Sequence, residues 1–392
     1  MPRPAPVPRD PRLVGRLVAV CAPNAFKGTV TAHAAAAALA RGVRDAAADA
    51  IEMPVADGGD GTLDVLLRAR RSAARVTRHR VTGPTGAPVV ARLGWFGRDE
   101  AVVELAEASG LRRLGSGALD ALHATSRGTG ELIRIALNAG ARTLVVGVGG
   151  SASTDGGAGL LQALGARLTR DDGREISPGG AGLEELDGID LTTALPALAG
   201  CSIQVACDIL GPLLGPEGAA QMFAPQKGAS AGEVRRLERA LARFAAVVSR
   251  QGYGDLASIP GAGAAGGCGF GLAIAGAQLV PGARLVCDLV GLDTALRTAT
   301  VVITGEGRLD RQTATGKAPA EVGARAASCG VPCIAIAGSV LDPLPDLFTV
   351  ALSLADFGPV VDPMAHTRAR LRRAARRAIE DMRAAPSRAD AF

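Results

Sequence analysis

The sequence predicts an α/β protein of two domains, and three observations carry that prediction. Short apolar runs such as RLVAVCAPN (16–24) and TLVVGVGG (143–150) alternate with Gly-rich loops and Ala-rich stretches. That is the strand, loop and helix rhythm of a parallel sheet. Between 74 and 106 the texture changes to three strand-like segments, RVTRHRVTG, APVVARLGWF and EAVVELAEAS. Their connections are too short for crossover helices, so they read as hairpins in an antiparallel or mixed sheet. Finally, 392 residues exceed one ordinary domain, and the two ends of the chain read alike while the middle does not. The expected organisation is a disordered extension over 1–16, one discontinuous α/β domain from 17–77 and 286–392, and an inserted mixed α/β domain over 78–285.

In order, the strand at 16–24 leads into an Ala-rich helix over 31–50, with Thr31 as its N-cap. A strand beginning at 53 ends in the loop VADGGDGT and feeds a helix over 62–71. After the hairpins come helix 127–139, strand 143–150, helix 156–165 and strand 202–209. Helices follow over 231–250 and 266–279. The last third holds strand 299–307, helix 318–328, strands 331–339 and 348–354, and an Arg-rich helix over 366–384.

Composition excludes several classes. The net charge is +5 and the aromatic content 3%, so stacking on nucleic-acid bases has little to work with. Seven scattered cysteines, an odd number, read as reduced thiols of a cytoplasmic protein, the Cys329/Cys333 pair included. No apolar run reaches the roughly 18 residues of a membrane span, and residues 1–16 lack the apolar region of a signal peptide. Of the 43 basic residues only Lys27, Lys227 and Lys317 are lysines. All three lie in Gly-adjacent loops, where a compact ammonium does what a guanidinium cannot.

Six Gly-rich segments stand out, five of them rich in polar residues. APNAFKG (22–28) puts Lys27 just after the first strand, the edge where open α/β sheets bind ligands. VADGGDGT (55–62) carries Asp57 and Asp60 around two glycines. Those carboxylates suit Mg2+ or a hydroxyl proton, or else a turn and a helix N-cap. VVGVGGSASTDGGAG (145–159) offers Gly149, Gly150, Ser151, Ser153, Thr154 and Asp155 before a helix, an arrangement suited to phosphate. It also loosely matches a dinucleotide fingerprint, with Asp171 and Asp172 about 20 residues on. TSRGTGELI (125–133) places Arg127 and Thr129 at another helix start. The Gly-rich run 260–271 is either a phosphate wrap or tight packing. ITGEGRLDRQTATGK (303–317) is the densest, with Gly305, Glu306, Arg308, Asp310, Thr313 and Lys317. No Walker A sequence is present.

Taken together, APNAFKG, PVADGGDGT, VTGPTG, ATSRGTGELI, GVGGSASTDGGAG, VACDI, FAPQKGAS, PGAGAAGGCGFG and VITGEGRLDRQTATGKAP make the chain resemble the bacterial-type glycerate kinase family. The resemblance spans residues 18 to about 340. It implies a Rossmann-like domain interrupted by a mixed α/β domain, an active site in the cleft between them, and transfer of phosphate from ATP to D-glycerate. The 2-hydroxyl, giving 2-phosphoglycerate, is favoured over the 3-hydroxyl. The chain has Asn24 where the family usually has Asp, and Asp60 where it usually has Glu. An NAD-dependent dehydrogenase and a non-catalytic binding protein are the competing readings.

Phosphoryl transfer needs charge neutralisation and in-line positioning. Lys27 and Lys317 are therefore expected at the phosphates. Asp57, Asp60, Asp208 and Asp310 are expected as base or Mg2+ ligands, with Asp57 and Asp60 the metal pair. Asp57 or Asp155 is the expected base. Arg127 or Arg308 would grip the glycerate carboxylate. The partners expected are small molecules, D-glycerate and ATP, with no nucleic acid and no membrane; a homodimer is the assembly considered.

Overall fold

A computed structural model describes residues 17–115, 119–194, 198–310, 316–341, 346–358 and 363–384. The extension 1–16 and Thr313 lie outside the described residues. The chain forms two compact units, one from both chain ends (to Asp57 and from Ala283) and a central one over Gly58–Gly282.

The terminal unit is built on five strands, all parallel, in the order Val350–Ser353, Cys333–Ala337, Val301–Thr304, Val18–Cys21, Asp49–Glu52. Alternate residues of each strand face opposite ways, so each face needs its own cover. Ala19, Cys21, Val301, Ile303, Ile334 and Ile336 are buried with Leu39 and Val43 of helix Ala32–Asp45 and with Leu371, Ala375 and Ile379 of helix Pro363–Ala384. Val20, Val302 and Cys333 turn the other way, onto Cys287, Leu292, Leu296, Val322 and Ala326. The strand order reverses between Val18–Cys21 and Val301–Thr304, so the loops leaving those two strands open at a topological switch point.

The central unit holds six strands in the order Gln278–Pro281, Ser202–Cys207, Thr143–Gly147, Glu100–Glu104, Pro88–Phe96, Ala74–Thr82. The first four run parallel and the last two antiparallel. Its core is largely aliphatic around Trp95, with Phe244 edge-on to Phe270 at 5.2 Å. The predicted α/β class, with one parallel and one mixed sheet, is what the chain adopts. Among the described residues no helix is long and apolar enough to cross a membrane, and all seven cysteines are free thiols.

Three differences from the sequence reading have physical causes. The first helix ends at Asp45 and the next strand is Asp49–Glu52, not a strand from 53. Ala47 makes the turn with φ 56°, and an alanine in a left-handed turn carries no sequence signal. Residues 58–77 fall in the central unit, because helix Thr62–Ala69 packs on its strands and Ala74–Thr82 pairs with Pro88–Phe96. The helix expected over 266–279 runs from Ala264 to Ile274 through left-handed Ala265, Gly266 and Gly267, and Gln278–Pro281 joins the sheet instead.

Helices Ala32–Asp45 and Pro363–Ala384 touch where Gly42 has no side chain. A Cβ there would stand 2.1 Å from the Arg372 carbonyl oxygen. Gly42→Ala is expected to lower stability by about 1–3 kcal/mol through forced separation of the helices, read from the urea midpoint.

Candidate active site

At the switch point of the terminal unit, the loops after two neighbouring strands are stitched together. The Asn24 amide donates to Gly305 O at 2.8 Å, and Thr304 Oγ1 donates to Ala22 O at 2.8 Å. Asn24 Nδ2 donates to Asp57 Oδ2 at 3.1 Å, while Asn24 Oδ1 accepts from Ala25 N at 2.7 Å. Asn24 thus orients Asp57 instead of adding a second carboxylate. Gly305 lies so close to the next strand that a Cβ would meet Ile336 O at 1.8 Å. Glu306 is buried, Lys27 exposed and Lys317 half-buried at the N-cap of helix Ala318–Ser328. Arg308 and Asp310 pair with each other at 3.1 Å.

The central unit builds a second constellation around residues 147–155. Its glycines let three segments converge. A Cβ on Gly149 would stand 2.4 Å from Gly59 Cα and 3.0 Å from Asp208 Oδ2, and one on Gly150 would stand 3.0 Å from Asp60 Oδ2. Asp60 and Asp208 therefore close on two consecutive glycines of one loop. Gly149 N donates to Gly58 O at 2.9 Å, and Leu111 N donates to Gly150 O at 2.9 Å.

Below this loop lies Lys227, entirely buried. Its Nζ donates to Ser151 Oγ at 2.7 Å and to Ser153 O at 2.5 Å. Burial pulls its pKa down to about 8, against the opposing pull of Cys268, Asp155 and Asp208. An ammonium enclosed beneath a Gly-rich loop, with carboxylates close by, is the arrangement expected of a functional site.

Asp155 is also fully buried. Oδ2 accepts from Ser126 N at 2.9 Å, Ser126 Oγ at 2.8 Å and Gly159 N at 3.3 Å, while Oδ1 accepts from Gly157 N at 3.2 Å. It ties the starts of helices Arg127–Asn138 and Ala158–Ala163 together.

A model of the Glycerate kinase family matches residues 19–383. The chain belongs to the glycerate kinase family. It is 43% identical over 327 residues to the Glycerate 2-kinase of Escherichia coli (strain K12), covering 82% of this chain and 85% of that one. It is equally 43% identical over 325 residues to the Glycerate kinase of Bacillus subtilis (strain 168), with 82% and 85% covered. A solved structure of a candidate glycerate kinase 2 from Salmonella typhimurium LT2 superposes with a TM-score of 0.81 at 40% identity, covering 94% of this chain and 99% of that chain. The protein is accordingly a kinase.

Against this family background, several residues singled out from sequence do other work. Asp155 has its oxygens committed to four donors, which makes it a clamp and not an available base. Thr129 is buried and donates to Ser109 Oγ at 2.9 Å, so its hydroxyl holds the helix start rather than a phosphate. Arg127 pairs with Glu131 at 3.4 Å. The Asp171/Asp172 match to a dinucleotide fingerprint fails on topology. Strand Arg167–Thr169 pairs antiparallel with Gly188–Asp190, and Asp172 closes an exposed turn by accepting from Arg174 N at 2.9 Å.

Two residues escaped the sequence reading of the site. Lys227 was visible as a rare lysine before a glycine, but its burial was not. Glu104, inside a strand, accepts from Gly61 N at 3.2 Å and Leu63 N at 2.9 Å. It caps helix Thr62–Ala69 from 41 and 43 residues away, the task that Asp57 or Asp60 would otherwise have been given. Burial pushes its pKa up to about 7, with Leu63 N, Arg112 and Gly61 N opposing.

Two predictions follow from these shifted groups. An unfolded Glu titrates near 4.5, so between that pH and about 7 unfolding releases a proton from Glu104. Its contribution is therefore present in acid and lost as pH rises through 7. Wild type should lose about 3 kcal/mol across that window relative to Glu104→Gln, measured by urea unfolding at pH 5, 6 and 8. Lys227→Met should fold yet lose about 100-fold in kcat, as expected of a displaced loop. The wild-type kcat should also fall above about pH 8 as the ammonium deprotonates, a limb that the variant lacks.

Proposed function

We propose that this kinase transfers the γ-phosphoryl group of ATP to the 2-hydroxyl of D-glycerate, giving 2-phosphoglycerate and ADP. The observation that carries the reading is the loop Gly149–Ser153, held from below by the Lys227 ammonium and flanked by Asp60 and Asp208. The missing side chains of Gly149 and Gly150 let Gly59, Asp208 and Asp60 close on the loop, and backbone amides with a buried cation beneath suit phosphate oxygens. Favouring the 2-hydroxyl is the relative from Escherichia coli, which is named for that activity.

Mg2+ fits the donor chemistry present. In phosphoryl-transfer sites Mg2+ is held by one or two carboxylates together with substrate phosphates and water. Asp60 and Asp208 would hold it, in place of the Asp57/Asp60 pair expected from sequence. Bound there, the ion would neutralise charge on the transferring phosphates. Asp60 also pairs with Arg112 at 3.3 Å, which fixes its carboxylate.

On the terminal unit, Asp57 is the proposed base for the acceptor hydroxyl, oriented by the Asn24 amide. Lys27 and Lys317 are proposed for the phosphates, and Glu306 and the Arg308–Asp310 pair for the polar lining of the switch-point loops. A cytoplasmic location belongs to the same reading, since seven free thiols suit a reducing compartment.

Coupling the product to enolase tests the regiochemistry. A signal without added mutase is expected with ATP, Mg2+ and D-glycerate, and a signal that waits for mutase makes the product 3-phosphoglycerate. Asp57→Asn should lower kcat about 100-fold or more with KM little changed. Full turnover by that variant removes Asp57 from the chemistry.

A further inference from the structure

The central unit carries a second polar hollow, beside strands Ala74–Thr82 and Pro88–Phe96. Strands Ala74–Thr82 and Pro88–Phe96 place Arg78 directly opposite Arg92. Like charges at such a pair destabilise a hairpin unless something sits between them. Arg112, Arg113 and Glu107 stand beside this pair, and with Val90 they line an open surface hollow of about 340 Å³.

Four guanidinium groups thus face one carboxylate. Glu107 is already saturated, accepting from Arg92 Nε at 3.1 Å, Arg92 Nη2 at 2.8 Å, Arg113 Nη2 at 3.1 Å and also from Arg112. Arg92 is spent further on Asp64, at 2.7 and 3.2 Å, and Arg112 on Glu104 at 3.1 Å and Asp60 at 3.3 Å. Two donors are left over. Arg78 has no hydrogen-bond or ion-pair partner among the described residues. The Nε of Arg113 is buried and likewise lacks an acceptor there. A buried guanidinium N–H without an acceptor is costly, so the chain's own charges leave this hollow incomplete.

We propose that the hollow binds a small phosphate dianion, free or as a phosphomonoester, gripped by Arg78 and Arg113 and bordered by Arg92 and Arg112. A phosphate presents three or four oxygens, enough to take the fork of Arg78 and the Nε of Arg113 together. A dianion also offsets the like-charge pair across the hairpin, which a neutral ligand would not. None of the lining residues belongs to the Gly149–Ser153 loop, and the gripping residues Arg78 and Arg113 have no part in the site proposed for ATP. Arg112, which also pairs with Asp60 at 3.3 Å, only borders the hollow.

Titration calorimetry on the full chain tests this, with inorganic phosphate, 2-phosphoglycerate and 3-phosphoglycerate in separate runs and sodium chloride at matched ionic strength as reference. Wild type should show saturable binding beyond the chloride response, weakened about ten-fold or more in R78Q/R113Q. The KM values for D-glycerate and ATP should not change, and phosphate-soaked crystals should show an anion between the two arginines. Tighter binding of a phosphoglycerate than of phosphate identifies a monoester as the ligand, and the reverse identifies the free anion. Arg78→Gln alone, exposed and without a partner to lose, carries the same test if the double variant fails to fold. Heats equal to those with chloride, or unchanged titrations in the folded variants, overturn the proposal. So does a ten-fold rise in the D-glycerate KM, which would give these arginines to the acceptor.

Discussion

Backbone approaching backbone without side chains between is the constraint on which the central unit depends. A Cβ on Gly58 would lie 2.2 Å from Ala206 O, and one on Gly149 would lie 2.4 Å from Gly59 Cα. Those two contacts bring the ends of strands Thr143–Gly147 and Ser202–Cys207 against the segment that enters helix Thr62–Ala69. Asp60 and Asp208 arrive beside the Gly149–Gly150 backbone for the same reason. Any side chain at these positions would separate the strand ends and carry the carboxylates away with them.

Such close packing leaves peptide groups with few side chains to organise them, and three buried ionic groups take that role. Lys227 holds the loop from below, Asp155 joins two helix starts, and Glu104 caps a third. Each lies in a low-dielectric setting where an unpaired charge would be expensive, and each is satisfied by several hydrogen bonds. For Lys227 and Glu104 burial also shifts the pKa toward neutrality, down to about 8 and up to about 7. The ion pairs of the Arg-rich surface, such as Arg377 with Asp381 at 2.8 Å, are exposed and contribute little to stability by comparison.

The terminal unit solves a different problem. A parallel sheet covered on both faces has no free surface for chemistry, so its polar residues gather where the strand order reverses. Asn24, Asp57, Gly305 and Glu306 all stand at that edge. The Asn24 side chain turns the first loop into a scaffold for Asp57, a task that asparagine performs with a donor and an acceptor where aspartate would bring a like charge.

Much of this was legible in the sequence. Apolar runs and Gly-rich loops marked most strands of both sheets, because buried strands demand apolar residues, while Asp49–Glu52 and Gln278–Pro281 went unread. The family motifs marked the loops that carry Asp60, Gly149 to Ser153 and Asp57, since glycine and carboxylate side by side at a strand end are visible in one dimension. Three-dimensional contacts decided the rest. A turn made by Ala47 has no compositional mark, and a cap supplied by Glu104 comes from 41 residues beyond Leu63. Asp155 and Asp60 look equivalent in the sequence, but burial and four hydrogen-bond donors make one a clamp, while the other stands exposed beside Gly150 and pairs with Arg112. Strand pairing sets Arg78 opposite Arg92, and the turn Leu111–Arg113 adds Arg113 to the same hollow, a meeting no local pattern shows. Sequence by itself determined which residue types line each strand end, because local pattern fixes strands, loops and helices. Tertiary structure decided which of those polar atoms are spent on one another, because hydrogen bonding and desolvation depend on neighbours far apart in the chain.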